Sequence, residues 1–207
     1  MSIELWIVYL IAAFGLSLTP GPNGLLAVTH GARFGFRSSI FTVLGGALGF
    51  FVLIAVSLAG MGALLLASEA AFTTAKWLGT AYLVYLGARL WRAPAPFVAP
   101  ASSAGAPLDA RRSRLFAEGF LVAASNPKGI IFFAAFLPQF MTPGASFPTQ
   151  LAVFGGTFVA IEIAYELMLA GLAHRIAPWL RRHGRVFNRL TGGTFVGIGA
   201  VLATVNR

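Results

Sequence analysis

No aspartate, glutamate, lysine or arginine interrupts the chain from Leu5 to Ala32, and again none occurs from Ser38 to Ser68. A helix needs roughly 20 apolar residues to cross a bilayer, so each stretch is long enough to span once. A soluble fold of 207 residues ordinarily makes one domain or at most two. Such a core is too small for 19 Phe and 4 Trp within a chain that is 57% hydrophobic. Only 10% of residues are charged, against about a quarter in a typical soluble domain. A polytopic membrane protein is the reading that follows. The absence of cysteine excludes a disulfide framework, a thiolate metal site and a cysteine nucleophile. A net charge of +9 would point to nucleic acid in a soluble chain. Here the charge belongs to loops, and no nucleic-acid partner, cofactor or metal is expected.

Further spans follow along the chain. A third candidate runs from about Ala70 to Trp91, with Lys76 near its start. Residues 92 to 113 change character, with Pro94, Pro96, Pro100 and Pro107 among Ala, Ser and Gly. That composition predicts a flexible loop. A fourth candidate runs from about Leu115 to Phe140 and contains Asn126-Pro127-Lys128. A fifth, about Gln150 to Ala173, contains Glu162 and Glu166, and a sixth covers about Leu190 to Val205. The start, Met1-Ser2-Ile3-Glu4, carries an acid where a cleaved signal wants a base, so it is read as the beginning of span one.

Orientation follows from the basic residues. Arg33 and Arg37 lie between spans one and two. Arg89, Arg92, Arg111, Arg112 and Arg114 lie between three and four. Arg175, Arg181, Arg182, Arg185 and Arg189 lie between five and six. These are twelve of the 15 basic residues, and six spans put all three loops on one face. That face is the cytoplasmic one, so both termini are expected outside the cytoplasm.

The two halves echo each other. Span one reaches Leu18-Thr19-Pro20-Gly21-Pro22-Asn23 and resumes as Gly24-Leu25-Leu26. Span four reaches Ala124-Ser125-Asn126-Pro127-Lys128 and resumes as Gly129-Ile130-Ile131. Prolines remove amide donors and restrict the residues before them. Thr19 therefore reads as an N-cap and Pro20 as a first-turn residue of a second half-helix, a grammar that Ser125 or Asn126 repeats before Pro127. Broken helices at matching positions of inverted halves are the best sequence pointer to a transporter site. Half-helix N-termini offer free N–H groups to an anion such as a carboxylate. A kink that merely serves packing is the alternative. The expected fold is an all-α membrane protein of six transmembrane helices, arranged as two inverted three-helix repeats with broken helices one and four. It forms one transporter domain over residues 1–207, with 92–113 as the cytoplasmic loop between the halves.

Three charged residues fall within the cores of the predicted spans. Lys128 points either to an aqueous cavity or acidic partner, or to a break near the surface from which it snorkels. Glu162 and Glu166 lie one turn apart on one helix face. Two desolvated carboxylates repel, so at least one is expected to be protonatable, which suits proton coupling or recognition of an ammonium group. Glu118 sits close to Arg114 and reads as a surface ion pair. His30, His174 and His183 read as interfacial. Gly45-x-x-x-Gly49 and Gly193-x-x-x-Gly197 are small-residue spacings for close helix contact, within one chain or between chains of a homo-oligomer. No His-Glu-x-x-His, Gly-x-Ser-Gly or nucleotide-binding loop occurs, so neither a membrane hydrolase nor an ATP-driven pump is supported.

Three motifs in order make the chain resemble the lysine exporter and homoserine/threonine exporter family of bacterial amino-acid exporters (LysE/RhtB). They are Leu18-Thr19-Pro20-Gly21-Pro22-Asn23; Lys76-Trp77-Leu78-Gly79-Thr80-Ala81-Tyr82-Leu83 with Leu86-Gly87; and Asn126-Pro127-Lys128 with Phe132-Phe133 and Leu137-Pro138-Gln139-Phe140. The resemblance implies six spans in the bacterial inner membrane and efflux of amino acids driven by an ion gradient. It also implies that the breaks flank the path, with an acid at Glu162. The candidate substrate site is thus Thr19, Pro20, Gly21, Pro22, Asn23, Asn126, Pro127 and Lys128, with Glu162 and Glu166 as the proton-coupling pair. A channel-like uniporter and a non-transport membrane scaffold are the two other readings.

Overall fold

The computed structural model describes residues 3–18, 21–67, 69–92, 111–137, 140–141 and 144–204. Among them are eight helices and no strand: α1 (Ile3–Leu18), α2 (Pro22–Phe34), α3 (Phe36–Ala67), α4 (Glu69–Arg92), α5 (Arg112–Ala124), α6 (Pro127–Phe136), α7 (Phe147–Gly171) and α8 (Ala173–Thr204). Within α3, Phe36–Gly60 is long and apolar enough to cross a membrane, and so is α7. The pair α1 and α2 supplies a third such crossing if it is one span, bent by 52° at its break. The loop expected at 92–113 lies almost wholly outside the described residues.

Local chemistry explains the helix ends. Gly21 is extended, as a residue before proline must be, and Pro22 occupies the first helical position, where its missing N–H costs nothing. The second half-helix therefore begins at Pro22 rather than at Pro20, and Gly21 holds the cap position expected for Thr19. Thr19 and Pro20 themselves lie outside the described residues. At the other end, Gly35 adopts φ 79°, a left-handed conformation that glycine takes without penalty. Its N–H donates to the Gly31 carbonyl at 3.1 Å, closing α2 and turning the chain into α3. Asn126 caps α6 by accepting from the Lys128 N–H, and Pro127 occupies its first turn. Ser146 caps α7 through the Thr149 N–H. The arginines before the last span also depart from expectation. The arginine-rich stretch before span six is interspersed with Ile176, Trp179 and Leu180, and it is helical rather than a loop. It runs on into the last segment as α8, with non-helical backbone only at His183.

Packing joins elements far apart in sequence. α3 lies along α5, α4 along α8, and α7 against α1, α2 and α3. Gly45 and Gly49 meet the Phe116 and Phe120 carbonyls of α5, while Gly119 meets the Thr42 carbonyl of α3. The first small-residue motif therefore works inside the chain, bringing two backbones together where any side chain would clash. In α8 Gly192 meets the Gly87 carbonyl and the Trp91 backbone of α4, and Gly193 of the expected pair meets the Trp91 ring, whereas a Cβ at Gly197 would meet nothing within 4 Å among the described residues. The main buried cluster is aromatic and joins α1, α3, α6 and α7 through Tyr9, Phe50, Phe133, Phe154 and Phe158. Phe133 and Phe50 meet Phe158 edge to face at 4.8 and 5.3 Å between centroids, the geometry that aromatic quadrupoles favour. Leu44, Leu48, Val52 and Val56 form an exposed apolar stripe down α3 at helical spacing, a face suited to lipid.

Candidate functional site

The residues singled out at the two breaks converge. Asn23 sits in the first turn of α2 and Asn126 caps α6, and Asn126 Nδ2 donates to Asn23 Oδ1 at 3.2 Å. The other end of the Asn126 amide accepts from the Lys128 N–H at 3.0 Å. One side chain thus both starts its own half-helix and ties it to the other. Lys128 follows in the first turn of α6, and its Nζ donates to the Leu16 carbonyl at 2.8 Å. Leu16 is among the last four residues of α1, whose carbonyls have no partner within the helix. The ammonium therefore satisfies the negative end of one half-helix, as dipole arguments favour. Gly21 is packed against the same side chain, and a Cβ added there would lie 3.4 Å from Lys128 Nζ. Lys128 is only 5% exposed, so it does not snorkel to a surface.

α7 brings the carboxylates to the same place. Glu162 is buried and accepts from Ser17 Oγ at 2.9 Å. Glu166, one turn on, is also buried and faces Gly46 of α3 beside Asn23. Lys128, Glu162 and Glu166 feel one another's charge. A buried group of two carboxyls and one ammonium is electrically balanced when it holds one additional positive charge, and uncompensated charge at membrane depth is expensive. Among the described residues, no group of three His, Cys, Asp or Glu side chains is placed to hold a metal ion.

Two positions belong to this site that the sequence alone did not single out. Ser17 is a small polar residue one turn before the break, which is the only local signal it gives. Gly46 follows the Gly45 already noted for packing, and its lack of a side chain admits Asn23 and Glu166. Further along α7, the level of Ala170 is closed by Gly31 of α2, where a Cβ would meet the Ala170 carbonyl at 2.5 Å. This close approach carries His30 inside, so it is buried rather than interfacial. His30 Nδ1 pairs with Thr42 Oγ1 at 2.7 Å and Nε2 with Glu118 Oε2 at 3.3 Å. The Arg114–Glu118 ion pair forms as expected, at 2.8 Å. The aromatic cluster around Phe158 and Phe154 lies in the opposite direction along α7 from Glu162. His174 and His183 are exposed.

Ionisable side chains are thus gathered where α1 ends and α2 and α6 begin, in an all-helical chain with helices long and apolar enough to cross a membrane. The chain belongs to the LysE type translocator family, which it matches over residues 14–206. It is 34% identical over 206 residues to an uncharacterized membrane protein of Vibrio cholerae, covering 99% of this chain and 98% of the relative. It is 32% identical over 210 residues to the homoserine/homoserine lactone efflux protein of Salmonella typhimurium, with the same coverage. It is 28% identical over 203 residues to the leucine efflux protein of Enterobacter sp., covering 96% and 94%. No solved structure matches the chain.

Proposed function

We propose that the protein exports amino acids from the cytoplasm across the bacterial inner membrane by proton antiport. The observation that carries this reading is the meeting of Lys128, the Asn23–Asn126 bridge and Glu162 between the ends of α1, α2 and α6. The half-helix N-termini and Lys128 receive the substrate carboxylate, and Glu162 carries the coupling proton. Buried on one side and wetted on the other, an acid gains and loses a proton as access alternates. The negative charge of Glu166, a turn away, adjusts that exchange. Efflux names among relatives at 32% and 28% identity support amino acids as cargo.

The same reading takes six spans as two inverted repeats, with basic loops inside and both termini outside. Helix neighbours support it. Exchanging α1 to α4 for α5 to α8 maps α2 against α7 onto α6 against α3, and α4 against α6 onto α8 against α2. All four pairs are in contact. α3 against α7 and α4 against α8 map onto themselves, as an internal two-fold requires. The test is a toxicity panel of single amino acids on cells with and without the gene. Deletion is expected to sensitise cells to one or a few of them, and equal sensitivity throughout contradicts export.

A further inference from the structure

Glu166 is 2% exposed, yet its Oε1 has no hydrogen-bond partner among the described residues. A carboxyl oxygen withdrawn from water with nothing to accept from is costly, and it is retained where a ligand supplies the donor. The neighbours narrow what that donor is. The Ser17 hydroxyl is committed to Glu162 and the Asn126 amide to Asn23. Lys128 donates to the end of α1. Asn23 accepts through its Oδ1, which leaves its Nδ2 on the side of Glu166. A Cβ at Gly46 would lie 3.1 Å from that nitrogen and 3.4 Å from Glu166 Oε2. The two carboxyls of α7 are thus unlike: Glu162 accepts from the Ser17 hydroxyl, and Glu166 has one buried oxygen without a hydrogen-bond partner among the described residues.

We propose that Glu166 receives the protonated amine of the substrate, with Asn23 and Gly46 shaping that end of the site. This rests on the amino-acid export reading above. It deepens that reading by fixing the substrate class as acids that carry a protonated amine within reach of their carboxylate, and by excluding the corresponding deaminated acids. It also gives coupling a physical basis. Two carboxylates one turn apart repel, and either a proton on Glu162 or an ammonium at Glu166 relieves that repulsion. Arrival of the amine therefore favours departure of the proton, and the reverse.

The experiment is exchange of radiolabelled L-homoserine by the purified full chain in proteoliposomes. Competitors are unlabelled L-homoserine and 4-hydroxybutyrate, the same skeleton without the amine, with L-leucine as a second labelled probe. The wild type is expected to prefer the amine-bearing competitor by about tenfold or more, the value of a hydrogen bond to a charged group. Glu166→Gln is expected to bring that preference close to unity. Gly46→Ala keeps every polar group and adds one methyl beside Oε2, so it is expected to raise KM severalfold while the amine preference stays. A folded Glu166→Gln protein that keeps the full preference, or weakens both competitors equally, overturns the assignment. If Glu166→Gln does not fold, an unchanged KM in Gly46→Ala overturns it. If neither probe exchanges, the labelled set is widened to the amino acids of the toxicity panel, and exchange of none of them refutes amino-acid export itself, and this inference with it.

Discussion

Asn126 serves two purposes that can be separated by substitution. Its Oδ1 caps α6 through the Lys128 N–H, and its Nδ2 bridges to Asn23. Losing an N-cap costs about 1 kcal/mol. A polar bridge between helices in a membrane averages about 0.6 kcal/mol, with a maximum near 1.7, because the unfolded chain in the bilayer finds partners too. That figure, and not the roughly 1–3 kcal/mol of an orphaned buried acceptor in a water-soluble core, applies to a bridge within the bilayer. Asn126→Ala is therefore expected to lower stability by about 1.5–2 kcal/mol. Asn126→Ser keeps a capping oxygen and loses only the bridge, for a loss of about 0.6 kcal/mol. The assay is denaturant-driven unfolding in mixed micelles, run as a cycle with Asn23→Ala. Coupling between Asn23→Ala and Asn126→Ala of about 0.6 kcal/mol is expected. Additivity within about 0.3 kcal/mol refutes the bridge, and equal losses for Ser and Ala refute the capping argument.

Other positions give sharper qualitative outcomes. Glu162→Gln keeps size and hydrogen bonding but cannot titrate. In proteoliposomes it is expected to lose ΔpH-driven accumulation while exchange between the two sides continues; accumulation driven by ΔpH alone would move the coupling role to Glu166. Gly119→Ala directs a methyl at the Thr42 carbonyl, and overpacking of this kind costs about 1–3 kcal/mol. A fall in the thermal midpoint of the detergent-solubilised protein is expected, and an unchanged midpoint would show that the α3–α5 contact relaxes. Reporter fusions after residues 35, 105 and 183 are each expected to report cytoplasm, and one periplasmic result breaks the proposed topology.

Much of the site was legible in the sequence because its parts violate the rules of an uninterrupted apolar helix. Pro22, Pro127, Lys128, Glu162 and Glu166 are all out of place in such a helix, and all five lie at or beside the meeting point. What was not legible depends on partners far along the chain. Ser17 and Glu162 are 145 residues apart, and nothing local to Ser17 marks it beyond its polarity. His30 beside Arg33 has the composition of a surface, and only the approach of Gly31 to α7 buries it. At the first break, two prolines in the same turn satisfy the same grammar, and the expected start at Pro20 falls two residues before the observed one at Pro22. The arginines before the last span read as a loop because their charge masks the helical spacing of Ile176, Trp179 and Leu180. The backbone is helical there, with non-helical geometry inside α8 only at His183.

The central claim is that the meeting point of the broken helices is the substrate site of a proton-driven amino-acid exporter, and Lys128 is the residue on which it turns. The direct measurement is ΔpH-driven flux of labelled L-homoserine and L-leucine in proteoliposomes containing equal amounts of inserted wild-type or Lys128→Ala protein. The wild type is predicted to move at least one of them against its gradient, and Lys128→Ala to move neither. Full flux through a folded Lys128→Ala protein would contradict the account.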